Sequence, residues 1–229
     1  MNTAAHDPSV WLNWLAAIAT VALVATYEVV QRWRHQHAPE QHAPQAHADL
    51  REAWFKAVSD QVGSEIIAVQ TLRNSLMSAT LTTSTAALGL MGTVTLAASS
   101  LHAMLSDSAS LAAWVQPRAL MEVLLMVALF SAMACSAMAV RYLNHASYIL
   151  SMPVMSATRQ SWEGTGIHYL RRGGVLYGWG LRSLLMVAPL VVSIVSPLAG
   201  PLASLGLLVV LWQLDQVNFN EPKPLPQQA

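Results

Sequence analysis

Four stretches of this chain carry no formally charged residue: Pro8–Tyr27, Asn74–Ser106, Val123–Val140 and Ser183–Leu214. A helix needs about 20 mostly apolar residues to cross a bilayer, where each backbone N–H and C=O must be satisfied within the segment. The pattern dictates a polytopic, all-α membrane protein. Composition agrees: 54% of the 229 residues are hydrophobic and 10% are charged, against about 25% charged in soluble domains. The formal net charge is zero, so there is no global basic field to attract nucleic acid. A single cysteine, Cys135, lies within the third apolar run and has no intramolecular partner. No Lys or Arg precedes the first apolar run, so it lacks the positive region of a signal peptide and reads as a retained span.

The expected layout has four spans, at 10–31, 74–101, 119–142 and 181–214. An N-terminal tail (1–9), a loop (102–118) and a C-terminal tail (215–229) lie on one side. Segments 32–48, 49–70 and 143–180 lie on the other. Arg32, Arg34, Arg51, Lys56, Arg73, Arg141, Arg159, Arg171, Arg172 and Arg182 all fall on the second side, leaving only Arg118 and Lys223 for the first. The positive-inside rule then makes the second side cytoplasmic and puts both termini outside a cell membrane. Tryptophans sort the same way. Trp11, Trp14, Trp114 and Trp212 mark outer ends, and Trp33, Trp54, Trp162 and Trp179 mark inner ends, as an amphipathic ring at the headgroup level would.

The last span contains Pro189, Pro197, Gly200 and Pro201. One long, kinked and tilted helix is the expectation. The alternative is a broken or re-entrant hairpin turning near Pro197–Pro201, a device that marks binding sites in some transporters. It would return the C-terminus to the cytoplasm.

The connecting segments differ in kind. His35–His47 reads HQHAPEQHAPQAH, a Pro-interrupted polar tract expected to be a flexible linker. Its His35, His37, His42 and His47 offer a weaker alternative reading as metal ligands. The 49–70 segment reads as an amphipathic helix. Leu50, Ala53, Trp54, Ala57 and Val58 share one face, Asp49, Glu52, Lys56 and Asp60 share the other, and Asp49 is a candidate cap. That helix packs on the bundle or lies in the inner headgroup plane, and Gly63 is a candidate bend. Segment 143–180 interleaves Trp162, Tyr169, Tyr177 and Trp179 with Arg159, Arg171 and Arg172, a composition suited to topology determination and to anionic lipid headgroups.

Catalytic signatures are absent from the sequence: no HExxH, GxSxG, Walker lysine loop or CxxC pair. The expectation is a non-enzyme without cofactor. The second span is rich in hydroxyls, and small stripes such as Ser78/Thr82/Ala86 and Ser131/Cys135/Ala139 suit close helix packing, with a hydroxyl-lined path as the sharper reading. Glu28, Glu122 and Asp215 sit near span ends rather than at the midplane, which argues against a proton relay. Glu122 follows Arg118 by one helical turn.

One polar constellation remains. Gln70, Arg73 and Asn74 open the second span, Arg141, Asn144 and His145 close the third, and Arg182 opens the fourth. Antiparallel neighbours place these at one depth. They are read either as arginines snorkelling separately or as one inner-face cluster for an anion, a lipid head or a partner's carboxylates.

The stretches QTLRNSLMSATL (70–81), RYLNHASYILSMP (141–153) and GLRSLLMVAPL (180–190) resemble the DUF599 family, over roughly residues 10–215. The resemblance implies a four-span membrane protein and no particular substrate. Arg73, Asn74, Arg141, Asn144, His145 and Arg182 are the positions that match its motifs, and the His-rich linker and proline tail look peculiar to this chain. The reading is a structural or accessory membrane component that self-associates or binds another membrane protein. An oligomeric channel or transporter for a small solute is the alternative.

Overall fold

The computed structural model describes residues 8–37, 43–106 and 116–215. Among them the regular structure is helical: α1 (Pro8–His37), α2 (Ala43–Asp60), α3 (Glu65–Ser106), α4 (Pro117–Leu150), α5 (Ala157–Leu185), α6 (Val187–Val195), a short 3-10 turn (Pro197–Ala199) and α7 (Gly200–Asp215). Three helical stretches are long and apolar enough to cross a membrane, Glu65–Ala98, Pro117–Leu150 and Ala157–Val195. The expected first span corresponds to a shorter apolar stretch, Trp11–Tyr27.

The helices outrun the spans. With 42 residues, α3 is about 63 Å long, roughly twice the hydrocarbon thickness. It begins at Glu65, nine positions before the uncharged run opens at Asn74. Likewise α4 continues past Val140 to Leu150, and most of 143–180 is helix rather than loop. No Pro or helix-ending Gly interrupts those stretches until Pro153, so the helices run on into the polar phase. The 49–70 segment is divided: α2 stops at Asp60, and the chain turns through Gly63 at φ +87°, a left-handed conformation that favours glycine. Asp49 is therefore internal to α2 and caps nothing. The 32–48 linker is also shorter than expected, because α1 reaches His37 and α2 starts at Ala43.

Contacts fix the register. Gly89 lies against Leu129, which pairs α3 with α4, while Gly166, Gly173 and Gly180 lie against Ile149, Leu143 and Ser136. Rising numbers on α5 meet falling numbers on α4, so the two are antiparallel. Outside the apolar runs, α2, α3, α4 and α5 form a helical head. Its core is Phe55, Ala68, Leu72, Leu143, Ala146, Ile149, Leu150 and Leu170. Phe55 is fully buried while Leu50 is 60% exposed, so the packed face of α2 centres on Phe55, with only Trp54 and Val58 of the expected stripe packed beside it. The bulkier ring takes the interior position and Leu50, Ala53 and Ala57 face outward.

Along the spans the buried residues are small: Ala79, Thr82 and Ala86 on α3 and Ala132, Ser136 and Ala139 on α4, with Ala132 and Ser136 against Gly180 of α5. Several α3 threonines satisfy their hydroxyls on their own helix, Thr82 on the Ser78 carbonyl at 2.9 Å and Thr93 on the Gly89 carbonyl at 2.8 Å. The last apolar segment is broken, not one continuous helix. Ser196 adopts an extended conformation (φ −143°, ψ 101°), and Pro197 cannot donate the next helical hydrogen bond. A methyl on Gly200 would meet the Ser193 Cβ at 2.8 Å and Thr20 Oγ1 at 2.6 Å. A straight helix would hold positions 193 and 200 about 10 Å apart. The chain therefore corners sharply and packs α7 against α6 and α1.

Candidate functional site

The seven residues expected at the inner ends of the spans lie where head and spans join. Gln70, Arg73, Asn74, Arg141, Asn144 and His145 are exposed and Arg182 is half-buried. Among the described residues, Arg73, Asn74, Arg141 and Asn144 make no hydrogen bond or ion pair, so hydrogen bonds do not knit this set together. Two neighbours do engage His145 and the adjacent surface. The His145 ring lies 5.6 Å from Tyr169 and 6.5 Å from Tyr148. Tyr142 lies 5.8 Å from Tyr169, and the Arg172 guanidinium sits 5.8 Å over the Tyr142 ring. The outcome at this depth is an aromatic and cationic belt rather than a buried polar network.

A second group ties α2 to α5. Arg171 donates to Glu52 Oε2 at 2.6 Å and lies 3.5 Å from Asp49, and Lys56 donates to Glu52 Oε1 at 2.9 Å. The Lys56 bond first, then the Arg171 bond, hold the Glu52 carboxyl below the usual carboxylate range. Arg51 lies against Gly174 on α5, and its burial lowers its pKa from the usual guanidinium value. Of the four histidines considered for metal, His47 is exposed on α2. Its pKa is pushed down by partial burial and by Arg51. The side chains of His35, His37 and His42 lie outside the described residues. Among the described residues no group of three His, Cys, Asp or Glu could hold a metal ion.

The tip of the head holds a residue that the sequence places among topology determinants and lipid-headgroup contacts. Arg159 is 3% exposed. Its Nη1 donates to the Met152 carbonyl at 2.7 Å and the Leu150 carbonyl at 3.3 Å, and its Nη2 to Ser59 Oγ at 3.4 Å. It thus caps the C-terminal end of α4 and clasps α2. Its Nε has no partner, and among the described residues no carboxylate forms an ion pair with it. Local sequence sets this up. Pro153 stops α4, Ser156 caps α5 by accepting from the Arg159 N–H at 3.2 Å, and Arg159 then occupies the first turn facing back across the corner. Glu65 closes the corner from α3, accepting from the Val154 N–H at 3.2 Å. Its own backbone N–H, then that of Val154, hold its carboxyl below the usual range. The local pattern here is Pro153, Ser156 and Arg159, three positions apart between two helices.

Two openings adjoin these groups. One, of about 420 Å³, lies at the tip and is lined by Ser59, Asp60, Arg159, Gln160 and Glu163 among others. The other, also about 420 Å³, runs along the outward face of α5 with Arg171, Arg172 and His168 toward the tip and Val175, Leu176 and Trp179 toward the span.

No curated protein and no solved structure matches the chain. A family of proteins of unknown function, DUF599, matches residues 15–219. That match takes in all three membrane-compatible helices and the head, and the chain belongs to the DUF599 family.

Proposed function

We propose that this chain is a non-enzymatic, multi-pass component of a cell membrane that assembles with a second copy of itself through α3. In this reading α1, α3, α4 and the α5–α6 rod cross the bilayer, the N-terminus is outside, and the side that carries the head and ten of the twelve Lys and Arg is cytoplasmic. The carrying observation is the outward face of α3. Ser78, Thr85 and Gly92 recur every seventh position, each followed three positions on by Leu81, Leu88 and Thr95, and all are exposed. Leu81 is 66% and Leu88 70% exposed. Small and hydroxyl residues at heptad spacing let two helix backbones approach closely in lipid, where packing rather than hydrophobicity drives association. Anionic lipid headgroups fit the same reading beside Arg171 and Arg172, whose apolar continuation along Val175 and Trp179 points toward the span.

The test is cross-linking in native membranes with Ser78→Cys, Thr85→Cys or Gly92→Cys in a Cys135→Ser background. Disulfide-linked dimers are expected at these positions and not at the inward-facing Thr82→Cys. A monomeric native mass in mild detergent together with no cross-link would sink self-assembly. A second reading, a channel or transporter for a small solute, draws on the corner in the last apolar segment. There the buried hydroxyls of Ser193 and Ser204 lack partners, beside a broken helix of the kind that lines transport sites. Solute flux in vesicles, lost on Ser193→Ala with Ser204→Ala, would favour it over the structural role.

A further inference from the structure

We infer that the opening at the tip of the head is a binding site for a small zwitterion, a molecule with an oxyanion at one end and an amine at the other, whose oxyanion is received by Arg159. The inference is independent of how the spans assemble. A guanidinium carries five N–H donors. In Arg159 three are used, by two carbonyls and one hydroxyl, and Nε is among those left over. The residue is buried, so its charge is desolvated, and none of its three partners carries a negative charge. Glu65 acts on this charge through space but forms no ion pair with it, so the buried guanidinium is only partly offset, and a bound oxyanion would complete the compensation. The first turn of α5 adds backbone N–H groups and the positive end of a helix dipole to the same corner.

The rest of the lining selects what carries the oxyanion. Asp60 is exposed and Glu163 half-buried, both line the opening, and neither has an ion-pair partner among the described residues. A bare anion entering here would face two carboxylates. A ligand whose amine stays at the rim while its oxyanion reaches Arg159 satisfies both ends. The volume, about 420 Å³, falls at the small end of the range for ligand pockets. The opening lies roughly nine residues of helix, about 13 Å, beyond the start of the apolar run on α3. Its occupant is therefore taken from water and not from the bilayer. An amino-carboxylate and an aminoalkyl phosphate share this chemistry.

Calorimetric titration of the full chain in mild detergent decides the matter. The probes are glycine and phosphoethanolamine, with acetate, inorganic phosphate and ethylamine as single-charge controls at matched ionic strength. Saturable binding of glycine or phosphoethanolamine, tighter than any control, is expected, and whichever binds more tightly names the oxyanion. Asp60→Asn with Glu163→Gln leaves every hydrogen bond of Arg159 in place. It is expected to weaken zwitterion binding by about tenfold or more, the scale of a lost charge-assisted hydrogen bond, without changing the melting temperature by much. Arg159→Lys is expected to abolish binding, although that variant also loosens the corner. No binding of any probe, binding of the controls equal to that of the zwitterions, or binding unchanged in the Asp60/Glu163 variant would each overturn the inference.

Discussion

The head and the spans are built from the same three long helices, yet they are held together by different means. In the head, Phe55, Leu72, Leu143, Ile149, Leu150 and Leu170 exclude water from a mixed-size core, and Arg171, Glu52, Lys56 and Asp49 bind α2 to the outside of α5. In the spans, Ala79, Ala86, Ala132, Ala139 and Gly180 bring backbones close, while large side chains such as Leu88, Met91, Phe130 and Leu202 point outward. Water accounts for the contrast. Where helices leave the bilayer, burying apolar area stabilises the fold by about 25 cal/mol per Å². Inside it, lipid is as apolar as leucine, and only close packing and polar contacts distinguish one helix neighbour from another.

The largest expected effect tests the head. Phe55 is fully buried and comes from α2, the one helix of the head that is not continuous with a long membrane-compatible helix. Phe55→Ala should cost about 3–5 kcal/mol and release α2, read as rapid proteolysis of the 38–64 region while the spans stay intact. Loss of the whole protein instead would show that head and spans form one cooperative unit. Gly166→Ala approaches the same core from the other side. The added methyl would lie 2.5 Å from the Phe55 ring and 3.3 Å from Ile149 Cγ2. Overpacking of this kind costs about 1–3 kcal/mol, and a lower melting temperature for the head is the readout. Combining it with Phe55→Ala, which clears the space, should give less than the sum of the two.

How legible this comparison was in the sequence follows from the same physics. Membrane helices advertise themselves, because an uncharged run of this length has few other uses, and the break before Gly200 was marked by Pro197 and Pro201 as an alternative. The head was not legible. Its core residues are spread over four helices, and Leu143, Ala146 and Ile149 repeat at helical spacing within a segment that reads as a polar connector because Arg141 precedes them and Asn144 and His145 lie between them. Phe55 lies off the more regular stripe at Leu50, Ala53, Trp54, Ala57 and Val58, of which only Trp54 and Val58 pack on the core, since periodicity reports that a face exists and not which neighbour covers it. Arg159 escaped because its burial depends on α2, a hundred positions away, where it meets Ser59, although its bonds to the Leu150 and Met152 carbonyls are local. The basic cluster at the span ends was located by depth alone, and depth does not say which way a long side chain turns.

Arg73 and Arg141 give the next prediction. Exposed and without hydrogen bonds, they should each tolerate replacement by Ala within about 0.5 kcal/mol in detergent, as surface positions do. A much larger loss would mean that lipid or a partner orders them into the network that their shared depth allows. Comparing melting temperatures in neutral detergent with those in vesicles containing anionic lipid separates the two cases.

The smallest effect is electrostatic and should be confined to the head. Glu52 and Glu65 have carboxyls held below their usual range, by Lys56 and Arg171 in the first case and by backbone N–H groups in the second. A carboxyl whose folded-state pKa is depressed stabilises the fold above its unfolded value, about 4.3, and that contribution is lost as pH falls through the lower folded value. The head should therefore soften below about pH 4, ahead of the spans, where among the described residues the ion pair is Arg118 with Glu122 at the start of α4. His47 adds an earlier and separate step. Burial and Arg51 disfavour its protonated form, so stability declines as pH falls from its ordinary value of about 6.5. Exposed pairs are screened by salt, so the Glu52 contribution should shrink at high ionic strength while that of Glu65, which rests on backbone donors, should not. Melting curves of the parent, Glu52→Gln and Glu65→Gln, taken from neutral to acid pH at low and high salt, give the measurement. An acid limb identical in all three proteins would place the titrating groups elsewhere and remove the electrostatic half of the contrast between head and spans.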